Sequence, residues 1–446
     1  PFSDPSDAVA RIDQTPFEIE ILELGHDGRG IGRRDDGKPV LVSGALPGER
    51  VLAKQTRRTR EADLAAALEV LQASPHRVEP RCPHFGVCGG CVLQHLDGGQ
   101  QILVKQNRLL AQFRDAGVSP ETVLAPLVDA AWGYRRKGRL SVRRVQKKDR
   151  TLVGFRELDP RFVADLVECH TAIPQVGMRI AALSALIESL QARQAIPQVE
   201  FIAGDATVAL VFRHLEPLGA EDLAALEAFG RAHELAIFLQ PGGVDSVHPL
   251  WPAAPPELSF RLGPWDVELG FQPLDFIQVN AGLNEKMIAL ALKLLEVGPG
   301  QRVLDLFCGL GNFTLPLART AAEVVGVEGD AGLVARARAN AQRNGLGQVE
   351  FHAADLTQDQ GNAPWMAQGF DRLLLDPPRS GAIDVLRQLP LERFGRIVYV
   401  SCHPDTLARD AAYLVNERGW TLRKAGVMDM FPHTAHVESI AMFERG

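Results

Sequence analysis

From about residue 285 onward the chain alternates short apolar runs with helical segments, and this feature limits the fold more than any other. The runs are QRVLDLF, VVGVE, VEFHAAD, FDRLLLD and RIVYVS. Strands that alternate with helices predict a doubly wound, mostly parallel sheet, because a parallel connection needs a long crossover. The last two segments, WTLRKAGVMD and HVESIAMFE, predict an antiparallel hairpin at the end of that sheet.

The carboxyl ends of parallel strands are where such sheets bind ligands. The first of these ends is DLFCGLGNF, a glycine-rich turn that lacks the full G-x-G-x-x-G pattern of dinucleotide sites. Glu328 closes the second strand, 19 residues after Gly309, where an acid can accept both ribose hydroxyls. Together these features favour a nucleoside cofactor without a pyrophosphate, and S-adenosylmethionine fits. A solvated acid at a strand end is the alternative for Glu328.

Three polar residues near the last strands are candidates for chemistry. DPPR follows the fourth strand and SCHP the fifth, so Asp376 and Cys402 are expected beside one pocket. A thiolate at Cys402 could attack an electrophilic carbon, although a small buried core residue is the alternative. Glu438, in FPHTAHVESIAMF, could act as a general base or be an ordinary outward-facing acid.

The 446 residues are enough for two or three domains. Residues 16–70 contain short strands punctuated by glycine, which predicts a small β-barrel with a basic rim. Residues from about 130 to 270 alternate like antiparallel strands with helices between them, which predicts an α+β region. The predicted domains are residues 1–74, 75–274 and 275–446, with a helix at about 93–125 that can pack on the third domain.

The charge distribution predicts a nucleic-acid partner, although the formal net charge is −7. Residues 134–150, YRRKGRLSVRRVQKKDR, contain nine Lys or Arg and one acid, and KQTRRTR forms a second basic run. Basic patches of this kind neutralise phosphates whatever the net charge of the rest. A solvated strand face is the alternative for either run.

Cysteine usage and hydropathy predict a cytoplasmic protein that does not enter a membrane. Six cysteines in a chain of this length do not make a disulfide framework, which favours a reducing compartment. No apolar run approaches the roughly 18–20 residues needed to cross a bilayer. The polar N-terminal stretch PFSDPSDAVARIDQTP lacks the apolar core of a secretion signal.

Three cysteines, Cys82, Cys88 and Cys91, lie close together in the pattern C-x5-C-x2-C and predict a metal site. An all-thiolate site needs a fourth ligand, and four thiolates suit either zinc or a [4Fe–4S] cluster. The nearby histidines keep a mixed zinc site open; they are His84, His95 and His170.

Five motifs closely resemble those of the RNA uracil-5-methyltransferase family: DLFCGLGNFTLPLA, LLLDPPRSG, SCHPDTLARD, FPHTAHVES and DFIQVN. The N-terminal barrel resembles a TRAM domain, an OB-like RNA-binding module. With the cysteine cluster also present, the chain is most similar to the branch of the family that acts on 23S ribosomal RNA. The resemblance covers nearly the whole chain.

The resemblance implies a complete architecture and site. It implies a TRAM β-barrel, a central α+β domain with an iron–sulfur cluster, and a C-terminal Rossmann-like class I methyltransferase domain that binds S-adenosylmethionine. Cys402 would be the nucleophile and Glu438 the general base. The implied cofactor contacts are Gln278, Phe307, Asn312, Glu328, Asp355 and Asp376. The implied cluster ligands, which would hold [4Fe–4S], are Cys82, Cys88, Cys91 and Cys169.

The implied reaction explains these residue types. Carbon 5 of uracil is too weak a nucleophile to take a methyl group unaided, so a thiolate first adds to carbon 6. The expected substrate is a uridine of 23S ribosomal RNA, position 1939 in the customary numbering, and the expected assembly is a monomer. One departure from the family is His403, which stands where Asn is usual. It leaves the nucleophile intact and puts in doubt the contact that the asparagine amide makes.

Three alternatives stay open, the first within the same class and the other two from different classes. The chain could methylate another uridine, although tRNA-specific relatives lack the cysteine cluster and a shorter 23S relative lacks the barrel. It could be a non-catalytic RNA-binding or chaperone protein, although the cysteine and glutamate motifs are intact. A radical S-adenosylmethionine enzyme would need C-x3-C-x2-C spacing, which is absent, and a different sheet.

Overall fold

A computed structural model describes residues 15–361 and 363–445. The polar N-terminal stretch lies outside the described residues up to residue 14. The described chain divides into two compact units. The first contains the residues up to Val104 together with His433–Ala435, and the second contains Lys105–Pro432 and the residues from His436 onward. The division into three domains stays a prediction.

Six strands build most of the first unit. They are β1 (Phe17–Glu20), β2 (Glu23–Leu24), β3 (Gly30–Arg33), β4 (Pro39–Ser43), β5 (Arg50–Arg58) and β6 (Asp63–Gln72). Their order in the sheet is β1-β5-β6-β4-β3-β2. The two edge strands, β1 and β2, are consecutive in the chain, so the sheet curls back on itself around a core that includes Ile19, Val40 and Val51. This is the small barrel that the sequence predicts.

One helix, α1 (Gly98–Asp115), follows the cysteine-rich loop. The helix lies within the predicted range of about 93–125 and is shorter than that range at both ends. The helix begins where Asp97 Oδ1 accepts the N–H of Gly99 at 3.0 Å, as in an N-cap. It ends before Gly117, whose φ of 72° is the left-handed conformation common after a helix C-terminus. A short strand beyond it, β7 (Thr122–Val123), pairs in parallel with residues 424–425.

The second unit contains a central six-stranded sheet. Its strands are β8 (Lys137–Val145), β9 (Arg150–Gly154), β10 (Gln198–Ala203), β11 (Val208–Arg213), β12 (Ala236–Gln240) and β13 (His248–Trp251). Three helices interrupt them: α2 (Pro174–Gly177), α3 (Ile180–Ser189) and α4 (Ala220–His233). The order is β13-β12-β11-β10-β8-β9. The predicted antiparallel alternation fails at β11 and β12, which are parallel because α4 provides a crossover between them.

The remaining elements follow a separate hairpin, β14 (Leu258–Leu262) and β15 (Val267–Phe271). The strands are β16 (Arg302–Leu306), β17 (Glu323–Glu328), β18 (Val349–Ala353), β19 (Arg372–Leu375), β20 (Arg396–Ser401), β21 (Trp420–Met428) and β22 (Glu438–Arg445). The helices are α5 (Ala281–Leu295), α6 (Thr314–Ala318), α7 (Ala331–Arg343), α8 (Ile383–Leu386) and α9 (Pro404–Ala412).

These strands form a mixed sheet in the order β18-β17-β16-β19-β20-β22-β21-β7. The strands from β16 to β20 are parallel, and β21 and β22 form an antiparallel hairpin beside β20, as predicted. The central residues Leu304, Leu374 and Val398 are at most 1% exposed, as expected for a parallel sheet covered on both faces. Among the described residues, every helix is too short or too polar to span a membrane.

Candidate active site and cysteine loop

The sheet brings most of the predicted site residues to one edge. Phe307 follows β16, Glu328 ends β17, Asp355 follows β18 by two residues, Asp376 follows β19, Cys402 follows β20 and Glu438 begins β22. Because β22 runs antiparallel to β20, its first residue lies at the edge where β20 ends. The six positions therefore share the edge at which doubly wound sheets bind ligands.

The glycine turn after β16 is shaped by three residues with positive φ: Phe307 (65°), Gly309 (54°) and Gly311 (91°). A positive φ is uncommon for an aromatic residue and persists where the surroundings enforce it. Here the N–H groups of Phe307 and Cys308 both donate to the Val327 carbonyl, at 2.8 and 3.1 Å. Cys308 is 4% exposed and belongs to the core, in agreement with a packing role.

Glu328 is held by backbone donors. The Gly309 N–H donates to Oε2 and the Asp330 N–H donates to Oε1, each at 3.1 Å. These two bonds fix the plane of the carboxylate beside the glycine turn. An ionised carboxylate has about four acceptor positions, so capacity remains for two ligand hydroxyls.

The segment that carries Gln278 is held by two basic residues, one buried and one partly buried, of the stretch that was expected to contact RNA. Arg136 Nε donates to the Gln278 carbonyl at 2.8 Å. Lys137 Nζ donates to the carbonyls of Leu274, at 2.9 Å, and Asp275. Burial lowers the pKa of Arg136 to about 10, which leaves its guanidinium charged at neutral pH. The two side chains therefore fix the backbone of the DFIQVN motif.

Asn312 is paired with Asn284, a residue that the sequence reasoning did not identify. Each amide nitrogen donates to the other's oxygen at 2.9 Å. Asn284 lies on α5 and is 1% exposed. No local sequence pattern points to Asn284, which lies four residues after the end of the DFIQVN motif, because its partner Asn312 is 28 residues away in the chain.

Asp355 is exposed and bonded locally. Its Oδ1 accepts the Thr357 hydroxyl at 2.7 Å and the Thr357 N–H at 3.0 Å. These hydrogen bonds lower the pKa of Asp355, because they favour the ionised carboxylate. The acid stays charged and accessible at the end of β18.

Cys402 and Glu438 are neighbours across two antiparallel strands. Ser401 pairs with Ser439, so the next positions outward are Cys402 on one strand and Glu438 on the other. Glu438 is 4% exposed, whereas Cys402 is partly accessible. The arrangement places a carboxyl within reach of a substrate atom bound beside the thiol.

Burial raises the pKa values of the acids on this side of the edge. Burial raises the pKa of Asp376 to about 7, and the negative charge of Glu328 adds to the effect. The pKa of Glu438 lies well above its ordinary value because of burial and then the charge of Asp376. Asp305, near the end of the first predicted strand, is fully buried, accepts a hydrogen bond from the Thr314 hydroxyl at 2.5 Å and has its pKa raised by burial to about 8.

The pKa of the Cys402 thiol is raised as well. Burial raises its pKa to about 11, and the negative charges of Glu438 and Asp376 add to the effect. The guanidinium of Arg379 opposes this rise, because a cation stabilises the thiolate. Without substrate, the thiol is therefore protonated at neutral pH.

Three of the predicted metal ligands lie in an irregular loop of the first unit. Cys82, Cys88 and Cys91 are all partly buried. The Gly90 N–H donates to Cys88 Sγ at 3.4 Å, a contact that suits a thiolate. After the third cysteine, the N–H groups of Val92 and Leu93 both donate to the His433 carbonyl, at 2.9 and 3.0 Å.

Cys169 belongs to the second unit and is buried. Its Sγ lies 3.3 Å from Thr171 Oγ1, and its N–H donates to the Gly177 carbonyl at 2.8 Å. A Cβ on Gly177 would lie 2.2 Å from the Cys169 carbonyl, so only glycine fits there. Across residues 15–361 and 363–445, no group of three or more His, Cys, Asp or Glu is arranged as a metal site.

The basic stretch at 134–150 has mixed roles. Arg136 and Lys137 are structural, as described above. Two others form ion pairs: Arg144 Nη2 lies 2.7 Å from Asp149 Oδ1, and Lys148 Nζ lies 3.0 Å from Asp165 Oδ2. The charge count of the sequence therefore overstates the cations of this run that are available to phosphates.

Family comparison agrees with this geometry. Residues 267–446 match the family model described as tRNA (Uracil-5-)-methyltransferase, and residues 14–60 match the TRAM domain. With the close relatives described next, these matches show that the chain belongs to the RNA uracil-5-methyltransferase family and has an N-terminal TRAM domain.

Within the family, the chain is similar to proteins named 23S rRNA (uracil(1939)-C(5))-methyltransferase RlmD. It is 69% identical over 438 residues to the protein of Xanthomonas campestris pv. campestris strain 8004, with 98% of each chain covered. It is 68% identical over 439 residues to that of Stenotrophomonas maltophilia strain K279a, covering 98% of this chain and 99% of the relative.

A solved structure shares the fold. It is the Pyrococcus abyssi tRNA (uracil-54, C5)-methyltransferase in complex with S-adenosyl-L-homocysteine. The TM-score is 0.73 at 24% sequence identity, and the match covers 96% of this chain and 100% of that one. The likeness shows a common methyltransferase fold with mixed sheets.

Proposed function

We propose that the protein transfers a methyl group from S-adenosylmethionine to carbon 5 of uridine 1939 of 23S ribosomal RNA. The observation that carries the proposal is the pairing of Ser401 with Ser439, which sets Cys402 beside Glu438 at the carboxyl edge of the sheet. The relatives with 67–69% identity over nearly the whole chain support the choice of substrate. The proposed enzyme is a monomer. Its proposed location is the cytoplasm, which would supply both the ribosomal RNA substrate and a reducing environment for the cysteines.

The cofactor-binding residues occupy the same edge. S-adenosylmethionine supplies an electrophilic methyl group on a sulfonium. The proposed contacts are Gln278, Phe307, Asn312, Glu328, Asp355 and Asp376. Glu328 would accept the ribose hydroxyls, since its carboxylate is already oriented by two N–H groups. Arg136 and Lys137 would hold the backbone on which Gln278 is presented.

The first proposed step is addition of Cys402 to the base. Cys402 Sγ gives its proton to solvent water and bonds to carbon 6 of uracil, and the electrons of the 5,6 double bond move into an enolate whose oxygen is on carbon 4. Carbon 5 of this enolate then attacks the methyl group, and the carbon–sulfur bond of the donor breaks. The target base must leave its stack to reach the partly accessible thiol.

The second proposed step is elimination. Glu438, in its ionised form, removes the proton from carbon 5. The electrons of that bond restore the 5,6 double bond, the carbon 6–sulfur bond breaks, and the Cys402 thiolate leaves 5-methyluridine. A carboxylate whose pKa is raised by burial is a stronger base than an exposed one, which suits Glu438 to this step.

His403, the departure from the family pattern, is compatible with this chemistry. It precedes the first turn of α9, and its N–H donates to Ser401 Oγ at 3.1 Å. Its Nε2 lies 3.8 Å from Asp405 Oδ2. The backbone that presents Cys402 therefore does not depend on an asparagine amide.

The proposal includes a [4Fe–4S] cluster held by Cys82, Cys88, Cys91 and Cys169. The donor set is all thiolate, which fits iron–sulfur and also fits zinc. The N–H donor to Cys88 Sγ supports a charged sulfur at that position. We propose that the cluster serves folding or RNA docking, because its ligands precede the matched methyltransferase region in the chain.

Tritium release tests the activity. The protein, S-adenosylmethionine and a 23S RNA fragment with 5-tritiated uridine are expected to release tritium to water only when the target uridine is present. Replacing that uridine with cytidine is the control. RNA binding without release would support a non-catalytic RNA-binding protein, and release from a different uridine would overturn the substrate assignment.

Metal analysis of anaerobically prepared protein tests the cluster. About four iron and four sulfide per chain are expected, with visible absorption that is lost in Cys88→Ser. Thermal unfolding of the same samples reports a folding role without measuring activity. Stoichiometric zinc in the anaerobic protein would contradict the iron–sulfur proposal.

A further inference from the structure

The segment Asp429–Pro432 connects β21 to the stretch that leads into Glu438. It has no regular secondary structure. The segment begins one residue after Met428, which is the partner of Glu438 in the pairing of β21 with β22. The residues that hold the segment are therefore relevant to the base.

Lys105, on α1, makes two hydrogen bonds to this segment. Its side chain is only 2% exposed, which is rare for lysine. Nζ donates to Asp429 Oδ1 at 2.7 Å and to the Phe431 carbonyl at 2.9 Å. A buried ammonium that bonds to a carboxylate and a carbonyl of one segment fixes both the position and the direction of that segment.

Two further contacts come from the same part of the chain. The Asp429 N–H donates to the Leu127 carbonyl at 2.8 Å, and the Tyr134 hydroxyl donates to the Pro432 carbonyl at 3.2 Å. Lys105, Leu127 and Tyr134 all precede residue 267, where the methyltransferase family match begins. The segment before Glu438 is thus held from outside the matched region.

We propose that Lys105 is a positioning residue for Glu438, acting through Asp429 and Phe431. The inference rests on the proposed role of Glu438 as the base. Loss of the ammonium would let the segment shift and would misplace the carboxylate. Cys402 follows β20 and begins the turn into α9, so it does not depend on this segment for its own backbone. Elimination should therefore slow more than addition.

The test compares Lys105→Met, wild type and Glu438→Gln in one assay with unmodified RNA. It measures the covalent protein–RNA adduct on a denaturing gel and the turnover of 5-methyluridine. Lys105→Met is expected to lower turnover by about 10- to 100-fold while the steady-state adduct rises above wild type. Arg114→Met, an exposed change of the same kind on the same helix, is expected to match wild type in both measurements.

Equal loss of adduct formation and turnover in Lys105→Met, or no loss at all, would overturn the inference. If this variant fails to fold, Asp429→Asn removes the partner charge and decides the question with the same two measurements. Glu438→Gln separates the two claims. Adduct in Glu438→Gln without adduct in the Lys105 variant refutes only the positioning role, whereas no adduct in Glu438→Gln refutes the base itself.

Discussion

The two halves of the site's edge differ in burial and in charge state. On the cofactor half, Asp355 is exposed, hydrogen-bonded and ionised, and Glu328 is fixed by backbone donors. On the reaction half, Cys402 and Glu438 have pKa values raised chiefly by burial, and so does Asp376, the proposed cofactor contact nearest to them in the strand order. One edge of the sheet can therefore hold a charged carboxylate at Asp355 for binding and keep the reacting groups protonated until substrate arrives.

The arrangement has a consequence for the order of events. A thiol with a pKa of about 11 is a poor nucleophile at neutral pH, so the free site is protected from side reactions. Binding of a cationic sulfonium next to Asp376 and Glu438 would favour their ionised forms by Coulomb attraction. Reactivity would then develop only in the complete complex.

The largest expected effect is at the nucleophile. Cys402→Ala should lower methyl transfer by about 10⁴-fold or more and abolish the adduct, because the proposed bond to carbon 6 forms at Cys402 Sγ. Single-turnover methylation and a denaturing gel with 5-fluorouridine RNA measure both quantities. Cys308→Ala is the matched control and should retain adduct formation, since Cys308 packs in the core. An adduct that survives in Cys402→Ala would mean a different nucleophile.

The second-largest expected effect on turnover is at Glu438, the proposed general base. Glu438→Gln keeps the size of the side chain and removes its ability to take a proton. Turnover should fall by about 10²- to 10⁴-fold. Addition and methyl transfer should continue in a single turnover, so methylated adduct should accumulate. Normal turnover in rapid-quench experiments would show that another group accepts the proton.

A smaller effect is expected on the cofactor half. Glu328→Gln should weaken binding of S-adenosylhomocysteine by about 10- to 100-fold, because charged hydrogen bonds to the ribose hydroxyls are each worth about 1.5–3 kcal/mol. Calorimetry with S-adenosylhomocysteine and with its 2′-deoxy analogue checks the cause. The two ligands should differ in wild type and converge in the variant. A uniform loss for both ligands would assign Glu328 to the fold of the turn.

The smallest effect is a shift in thiol titration. In the free protein, alkylation of Cys402, followed by mass spectrometry of its peptide, should rise with pH to a midpoint near 11. Glu438→Gln should move that midpoint downward, because an anionic neighbour disfavours the thiolate. A midpoint at or below about 8.5, the ordinary value, would show that the reaction half is not as buried as described.

Much of this edge was predictable, because it depends on local patterns. The glycine turn, Glu328, Asp376 and Cys402 each follow an apolar strand, and parallel strands bring such ends together. The hairpin that carries Glu438 was predictable from two adjacent apolar segments.

The parts that the sequence did not predict depend on distant contacts. Arg136 and Lys137 belong to the stretch with nine basic residues, yet they donate hydrogen bonds to a segment more than 130 residues away. Asn284 and Lys105 have no local pattern, because their partners lie 28 and 324 residues away. Helix α1 is shorter than predicted because Gly117 ends the helical conformation and residues 122–123 pair with the sheet instead.

The identity of the covalent intermediate decides whether Cys402 and Glu438 have the proposed roles. Glu438→Gln incubated with S-adenosylmethionine and the 23S RNA fragment should yield a digest in which the Cys402 peptide carries a 5-methylated, saturated uracil nucleotide. A Cys402 peptide with an unmethylated adduct would place the block before methyl transfer and contradict the role of Glu438. An adduct on any other cysteine would contradict the site itself.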